Sequence, residues 1–217
     1  MTLSGYYNRP RTEMLAFVPS TARRILDVGC GAGLFASRLK DKLGAEVWGI
    51  ELEPEAAALA SQKLDRVLSG DVLSIFGELP DGAFDCIVLN DILEHLVEPE
   101  ALLVGLKDKL ALQGRLVASI PNVRHFPNLW ELVVQGRWEY SDEGILDRTH
   151  LRFYTRRSMV ELFERCGYRL QTMIGIHPTG SWKFRLVNFL TFGRWWDMKY
   201  LQFACVADVG GLESEAQ

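Results

Sequence analysis

The feature that most constrains this chain is Ile25-Leu26-Asp27-Val28-Gly29-Cys30-Gly31-Ala32-Gly33, followed by Val47-Trp48-Gly49-Ile50-Glu51. An apolar run feeds three alternating glycines, and a second apolar run ends in a carboxylate. Read in order, this is strand, glycine turn, helix, strand and acid, the layout of a crossover unit that binds nucleosides. Glycine lets the backbone turn tightly and approach a ligand that any Cβ would block. Glu51, at the carboxyl end of the second strand, is placed to accept hydrogen bonds from both hydroxyls of a ribose. The arrangement predicts an adenosine-containing cofactor.

The rest of the first half repeats the alternation. Strands are predicted over 23–28, 46–51, 66–69, 84–89 and 114–120, with helices over 33–43, 54–63 and 99–110. A short helix is expected over 11–18. Cys86-Ile87-Val88-Leu89 is apolar at every position, as a strand covered on both faces should be. Strands alternating with helices in this way give a parallel, doubly wound sheet. A helix over 156–166 should stop at Gly167, and strands over 168–176 and 201–209 close the sheet. Residues 121–154 and 182–200 are rich in aromatics and arginine, without a clear periodicity.

The 217 residues suit a single domain, and the formal charge of −4 leaves no electrostatic footprint for nucleic acid. Cys30, Cys86, Cys166 and Cys205 are scattered, which favours packed, reduced thiols in a cytoplasmic protein. No apolar run reaches the ~18 residues of a membrane span, and the first residues do not form a signal peptide. The expectation is a soluble, cytosolic protein.

Four ordered motifs carry a resemblance to the class I S-adenosylmethionine-dependent methyltransferases: the glycine turn, Glu51, Gly70-Asp71-Val72, and the run from Phe84 through Asn90-Asp91-Ile92-Leu93-Glu94-His95. The resemblance is close over 23–120 and looser beyond. It implies a three-layer α/β/α sandwich with a Rossmann-like, mostly parallel seven-stranded sheet and an antiparallel strand near the C-terminus. It also implies that Asp27, Gly29, Cys30, Gly31 and Gly33 cradle the amino-acid end of the cofactor. Glu51 and Leu52 would hold the ribose, Asp71 and Val72 would meet the adenine, and Asn90 and His95 would line the rim. An N-terminal segment carrying Tyr7, Arg9 and Arg11 would fold over the cofactor, Arg11 being suited to the methionyl carboxylate. Plainer roles stand beside these: Asp27 bracing a loop, Asp71 capping a turn, His95 capping a helix.

Residues 1–120 are thus assigned to the cofactor and 121–200 to the acceptor. The segment Gly144-Ile145-Leu146-Asp147-Arg148-Thr149-His150-Leu151-Arg152-Phe153-Tyr154 resembles a bacterial subgroup associated with cell-surface polysaccharide synthesis. Its His150 is the expected catalytic base for an alcohol acceptor, with Asp147 orienting it or serving as the base itself. Arg148, Arg152, Tyr154 and Trp182 are expected to bind the acceptor; the competing reading is a polar cluster that pins a loop to the sheet edge. Glu94 and His95 alone do not make a metal site, so no metal is expected. The aromatic and basic stretch 182–200 is read chiefly as a cover for the sheet end or acceptor pocket, with a membrane contact or a homodimer interface as alternatives.

The expected activity is O-methylation of a sugar, glycan or glycolipid. Other small acceptors (a quinone, a lipid or a carboxylic acid) and a non-catalytic cofactor-binding partner are the alternatives. A nicotinamide-dependent oxidoreductase is disfavoured, because the turn reads Gly-x-Gly-x-Gly and no hydride-transfer centre is recognisable.

Overall fold

The computed structural model describes residues 10–209. Seven strands form one sheet: β1 (Arg24–Val28), β2 (Glu46–Glu51), β3 (Arg66–Ser69), β4 (Phe84–Asn90), β5 (Leu110–Pro121), β6 (Tyr168–Pro178) and β7 (Tyr200–Val209). Their spatial order is β3-β2-β1-β4-β5-β7-β6. Strands β1 to β5 pair in parallel, and β7 runs antiparallel to both β5 and β6. The seven-stranded α/β/α sandwich with one reversed strand is therefore present as expected. Strand order switches direction between β1 and β4, and a crevice opens there beyond their carboxyl ends, where ligands bind in open α/β sheets.

The pleat explains the three layers. Along β1 and β4, Leu26, Val28, Ile87 and Leu89 point to one face, where α3 (Pro99–Lys107) and α5 (Arg156–Arg165) cover them. Ile25, Cys86 and Val88 point to the other, against α1 (Leu34–Leu43) and Met14. Both faces being covered is why these strands read as unbroken apolar runs. Helix α1 ends at Gly44, whose φ of 62° supplies the left-handed stop and whose N–H bonds Lys40 O. Pro54 opens α2 (Pro54–Ala60), Pro99 opens α3, and a Thr155/Ser158 capping box opens α5. All four cysteines are buried and free.

Several boundaries differ from the sequence reading. Residues 12–16 form a short 3-10 turn rather than a helix over 11–18. Strand β5 begins four residues early because its register slips: Phe84 faces Leu110, whereas Cys86 faces Arg115. Gly114 sits in this slip, where a Cβ would come within 2.9 Å of Phe84 O. Helices α4 (Phe126–Gln135) and α6 (Trp182–Leu190) arise inside the two aromatic-rich segments. They pack on each other through Phe126 and Phe184 with Met198, a cluster separate from the main core.

Candidate active site

The glycine turn leaves β1 with positive φ at Gly29, Gly31 and Gly33 (72°, 54° and 76°). A Cβ on Gly29 would lie 2.1 Å from Ile92 Cδ1, and one on Gly33 would lie 3.1 Å from the Cα of Ala60. Gly29 thus keeps the crevice open, while Gly33 lets α1 and α2 approach. Glu51, only 6% exposed, braces the turn from β2. Its Oε2 accepts the Gly31 N–H at 2.7 Å, and its Oε1 accepts the Glu53 N–H at 2.9 Å. Each carboxylate oxygen keeps a second lone pair for a ligand hydroxyl.

Beyond this turn lies a cleft of about 950 Å³ lined by Arg11, Asp27, Gly29, Cys30, Gly31, Glu51 and Leu52, with Asp71, Val72, Asn90 and His95 on its farther wall. Asp27 is buried, and desolvation first, then the Glu51 charge, pushes its carboxyl up to about 8. The Asn90 side-chain oxygen is buried and has no hydrogen-bond partner among the described residues, so it is an acceptor in need of a donor. Asp71 Oδ1 accepts the N–H groups of Leu73 and Ser74 at 3.0 and 3.1 Å, so it caps its turn while also lining the cleft. Glycines that clear the floor, a buried acid with lone pairs to spare and an orphaned amide oxygen together fit S-adenosylmethionine. Gly33 lies below the lining, and Tyr7 and Arg9 fall outside the described residues.

Arg11 reaches the rim with a left-handed backbone (φ 42°), but its guanidinium is already engaged. It donates to Asp91 Oδ1 at 2.9 Å, to Ser119 Oγ at 2.6 Å and to Gln202 Oε1 at 3.1 Å. Asp91, itself at φ 54°, also accepts from Gln202 Nε2 at 2.8 Å. This arrangement ties the N-terminal segment to β4, β5 and β7 at the mouth of the cleft.

A second cleft of about 340 Å³ adjoins the first, and Arg11, Asp91 and Asp147 belong to both walls. Its other walls include Glu94, His150, Ile145, Pro121 and Leu201. His150 is 9% exposed and its Nδ1 lies 2.9 Å from Ile145 O. A carbonyl only accepts, so Nδ1 carries the proton and Nε2 the lone pair. Nε2 lies 4.0 Å from Glu94 Oε1. Glu94 is 1% exposed, and neither of its carboxyl oxygens has a hydrogen-bond partner among the described residues. Burial first, then the Asp91 charge, raises its carboxyl well above the ordinary carboxylate range. The loop is held here because Glu94 O accepts the N–H groups of Leu151 and Arg152.

His95 stacks edge-on against His150 with ring centroids 4.7 Å apart. Its Nδ1 meets Thr149 Oγ1 at 3.1 Å, and that hydroxyl donates to Asp147 Oδ1 at 2.6 Å. Burial first, then His150, holds the His95 imidazole below its usual value. For Asp147, burial pushes the carboxyl up, but the Thr149 hydrogen bonds outweigh it and the net shift is downward. Asp147 therefore organises the loop through Thr149, and the orienting partner of His150 is the Ile145 carbonyl. Donor atoms of Glu94, His95 and His150 all lie within 4.8 Å of one another, a spacing able to hold a divalent cation. The sequence shows only the adjacent Glu94-His95 pair and no second cluster at ligand spacing, because His150 joins them through the fold.

The other acceptor candidates scatter. Arg148 lines the larger cleft and pairs with the exposed Asp142 at 3.0 Å. Arg152 is exposed and bonds Val97 O. Tyr154 is in the core with its hydroxyl 3.4 Å from Leu93 O, and Trp182 is 68% exposed on α6. Neither Tyr154 nor Trp182 lines either cleft. The sequence assigns no role to Glu94 or Asp91; the acidic i, i+3 pair just after the fourth strand is the signal that points to them.

This fold and cleft define a class I S-adenosylmethionine-dependent methyltransferase, with S-adenosylmethionine as the cofactor. A family model described as a methyltransferase domain matches residues 3–172, and the chain belongs to that family. The ubiquinone biosynthesis O-methyltransferase of Nitrosococcus oceani is 30% identical over 184 residues, covering 79% of this chain and 76% of that protein. The mitochondrial ubiquinone biosynthesis O-methyltransferase of Schizosaccharomyces pombe is 35% identical over 106 residues, covering 46% of this chain but only 38% of its own length. Among solved structures, a SAM-dependent methyltransferase from Archaeoglobus fulgidus superposes with a TM-score of 0.69 at 19% identity, covering 94% of this chain and 96% of that one. No helix among the described residues is long and apolar enough to cross a membrane.

Proposed function

We propose that the protein O-methylates a hydroxylated aromatic ring of the quinone-precursor type. The observation that carries this reading is the small cleft with His150 and Glu94 on its wall, opening beside the cofactor cleft. Its volume suits a single ring. Ile145, Pro121 and Leu201 offer apolar contact, and the free lone pair of His150 Nε2 faces a buried acid. The similarity to two ubiquinone biosynthesis O-methyltransferases favours the quinone alternative over the sugar or glycan acceptor expected from the segment around His150.

When bound, S-adenosylmethionine supplies an activated methyl group on a sulfonium. The chain's work is to hold the acceptor oxygen in line with that methyl, where orientation accounts for much of the rate. A phenolic hydroxyl ionises near pH 10, so its proton has to be taken up as the oxygen attacks. His150 Nε2 is the group with the correct tautomer to take it. Glu94, with Oε1 4.0 Å from Nε2, then faces an imidazolium. His150 lines the open cleft, so the proton passes from Nε2 to solvent once the product leaves and the base is restored.

The test is turnover of a dihydroxylated aromatic acceptor by His150→Ala and by wild type. General-base removal should lower kcat by about 10²–10⁴, with S-adenosylhomocysteine affinity preserved. Equal kcat would remove His150 from the chemistry. The same three donors are spaced for a divalent cation, so chelator-insensitive turnover is the result the acid–base reading requires. Loss of turnover in chelator, restored by the metal, would replace it with metal-assisted ionisation of the hydroxyl.

A further inference from the structure

Helix α6 carries two apolar faces. Phe184 and Val187 point inward to Phe126, Met198 and Trp130. Trp182, Leu186 and Phe189, at i, i+4 and i+7, form the opposite stripe and are 68%, 51% and 77% exposed. Leu190 at the helix end and Phe192 in the following turn extend it, at 64% and 95% exposure. A cover over the sheet end or the acceptor pocket would bury these side chains, so the favoured sequence reading of this stretch does not hold for them.

Two further observations say what the stripe meets. Lys183 and Arg185 project from its two flanks and are exposed, Lys183 with its Nζ 4.4 Å above the Trp130 ring. Between Trp182 and Lys199 the chain carries four cations against Asp197, and that carboxylate is already paired with Arg124 at 3.2 Å. A positive patch thus sits on a protein whose formal charge is −4. In addition, Phe192 holds a left-handed backbone at φ 53°, a conformation disfavoured for a bulky side chain, and it places its ring in solvent.

We propose that α6 and the Phe192 turn form a peripheral docking surface for an anionic lipid bilayer. An apolar stripe flanked by Lys and Arg, whose stems lie along the hydrocarbon boundary while their charges meet lipid headgroups, is the pattern of an interfacial helix. Helix α4 packs beside α6, with Phe126 and Phe184 ring centroids 5.7 Å apart, and exposes Val133 and Val134 on its last turn. The bilayer contact does not depend on which acceptor is methylated, and it is read without turnover.

The experiment is co-sedimentation of the full chain with phosphatidylcholine vesicles, with and without phosphatidylglycerol. Wild type should partition onto the phosphatidylglycerol vesicles and much less onto pure phosphatidylcholine, and added salt should weaken binding. Phe189→Asp/Phe192→Asp and, separately, Lys183→Glu/Arg185→Glu should each lower the partition coefficient by about tenfold or more. Circular dichroism and S-adenosylhomocysteine affinity should stay unchanged in both. Folded wild type that remains in the supernatant, or pairs of variants that partition like wild type, would overturn the proposal. So would a dimer, seen by light scattering without lipid, that Phe189→Asp/Phe192→Asp dissolves.

Discussion

Replacing Glu51 by alanine separates two jobs that this side chain performs at once. The first is structural: Oε2 holds the Gly31 N–H at 2.7 Å inside the glycine turn. Stranding a buried donor costs about 1–3 kcal/mol, which for a chain of this length lowers Tm by about 2–4 °C per kcal/mol. The second is ligand binding through the remaining lone pairs. Hydrogen bonds from ribose hydroxyls to a charged acceptor contribute about 1.5–3 kcal/mol, so S-adenosylhomocysteine should bind roughly 10- to 150-fold more weakly. Scanning calorimetry reads the first loss and titration calorimetry the second. Glu51→Gln keeps one oxygen but turns an amino group toward a backbone donor, and should fall between wild type and Glu51→Ala in both. A lowered Tm with affinity within about twofold of wild type would leave Glu51 as a brace and refute its ribose role.

Asp27 makes a pH prediction. Its carboxyl is raised from 3.8 to about 8 in the folded chain, so the stability it contributes is full below about pH 4 and is lost as pH rises through about 8. Wild type should therefore lose Tm relative to Asp27→Asn between pH 5 and pH 8, and parallel melting profiles would contradict the buried, protonated acid. Gly33→Ala forces a left-handed backbone on a Cβ that meets Ala60 Cα at 3.1 Å. A cost of about 1–2 kcal/mol from the backbone alone should appear as a lower Tm together with weaker cofactor binding; an unchanged Tm would show that the turn relaxes freely. Glu94→Gln removes the ionisable partner of His150 and should depress kcat about tenfold or more, with a shifted pH–rate profile and unchanged cofactor affinity. An unaltered profile would confine Glu94 to packing.

The cofactor half was legible because its chemistry is local. Gly29, Gly31 and Glu51 belong to one strand–turn–helix–strand unit, and apolar runs such as Cys86 to Leu89 declare strands buried on both faces. The surroundings of His150 depend on distant approaches. His150 meets Glu94 from 56 positions away because the backbone of Leu151 and Arg152 docks onto Glu94 O, and no local pattern encodes that docking. Asp147 lay near His150 in sequence but turned to Thr149, since a two-residue reach to its own backbone is shorter than the path to the imidazole. Tyr154 read as an acceptor contact and became core, because its aromatic body is needed under Leu93. Helix α6 is hidden for a related reason: it buries Phe184 on α4 and leaves Trp182, Leu186 and Phe189 outside, which weakens the amphipathic period along it.

The proposed chemistry is methyl transfer to a phenolic oxygen held between His150 and the cofactor cleft. The most direct measurement is incubation of wild type with methyl-labelled S-adenosylmethionine and a dihydroxylated aromatic bearing a short alkyl tail, with both products followed by mass spectrometry. The prediction is one aryl methyl ether for each S-adenosylhomocysteine formed, with the label on oxygen. No transfer to that ring, together with label entering a sugar hydroxyl or a carboxylate offered alongside it, would contradict the account.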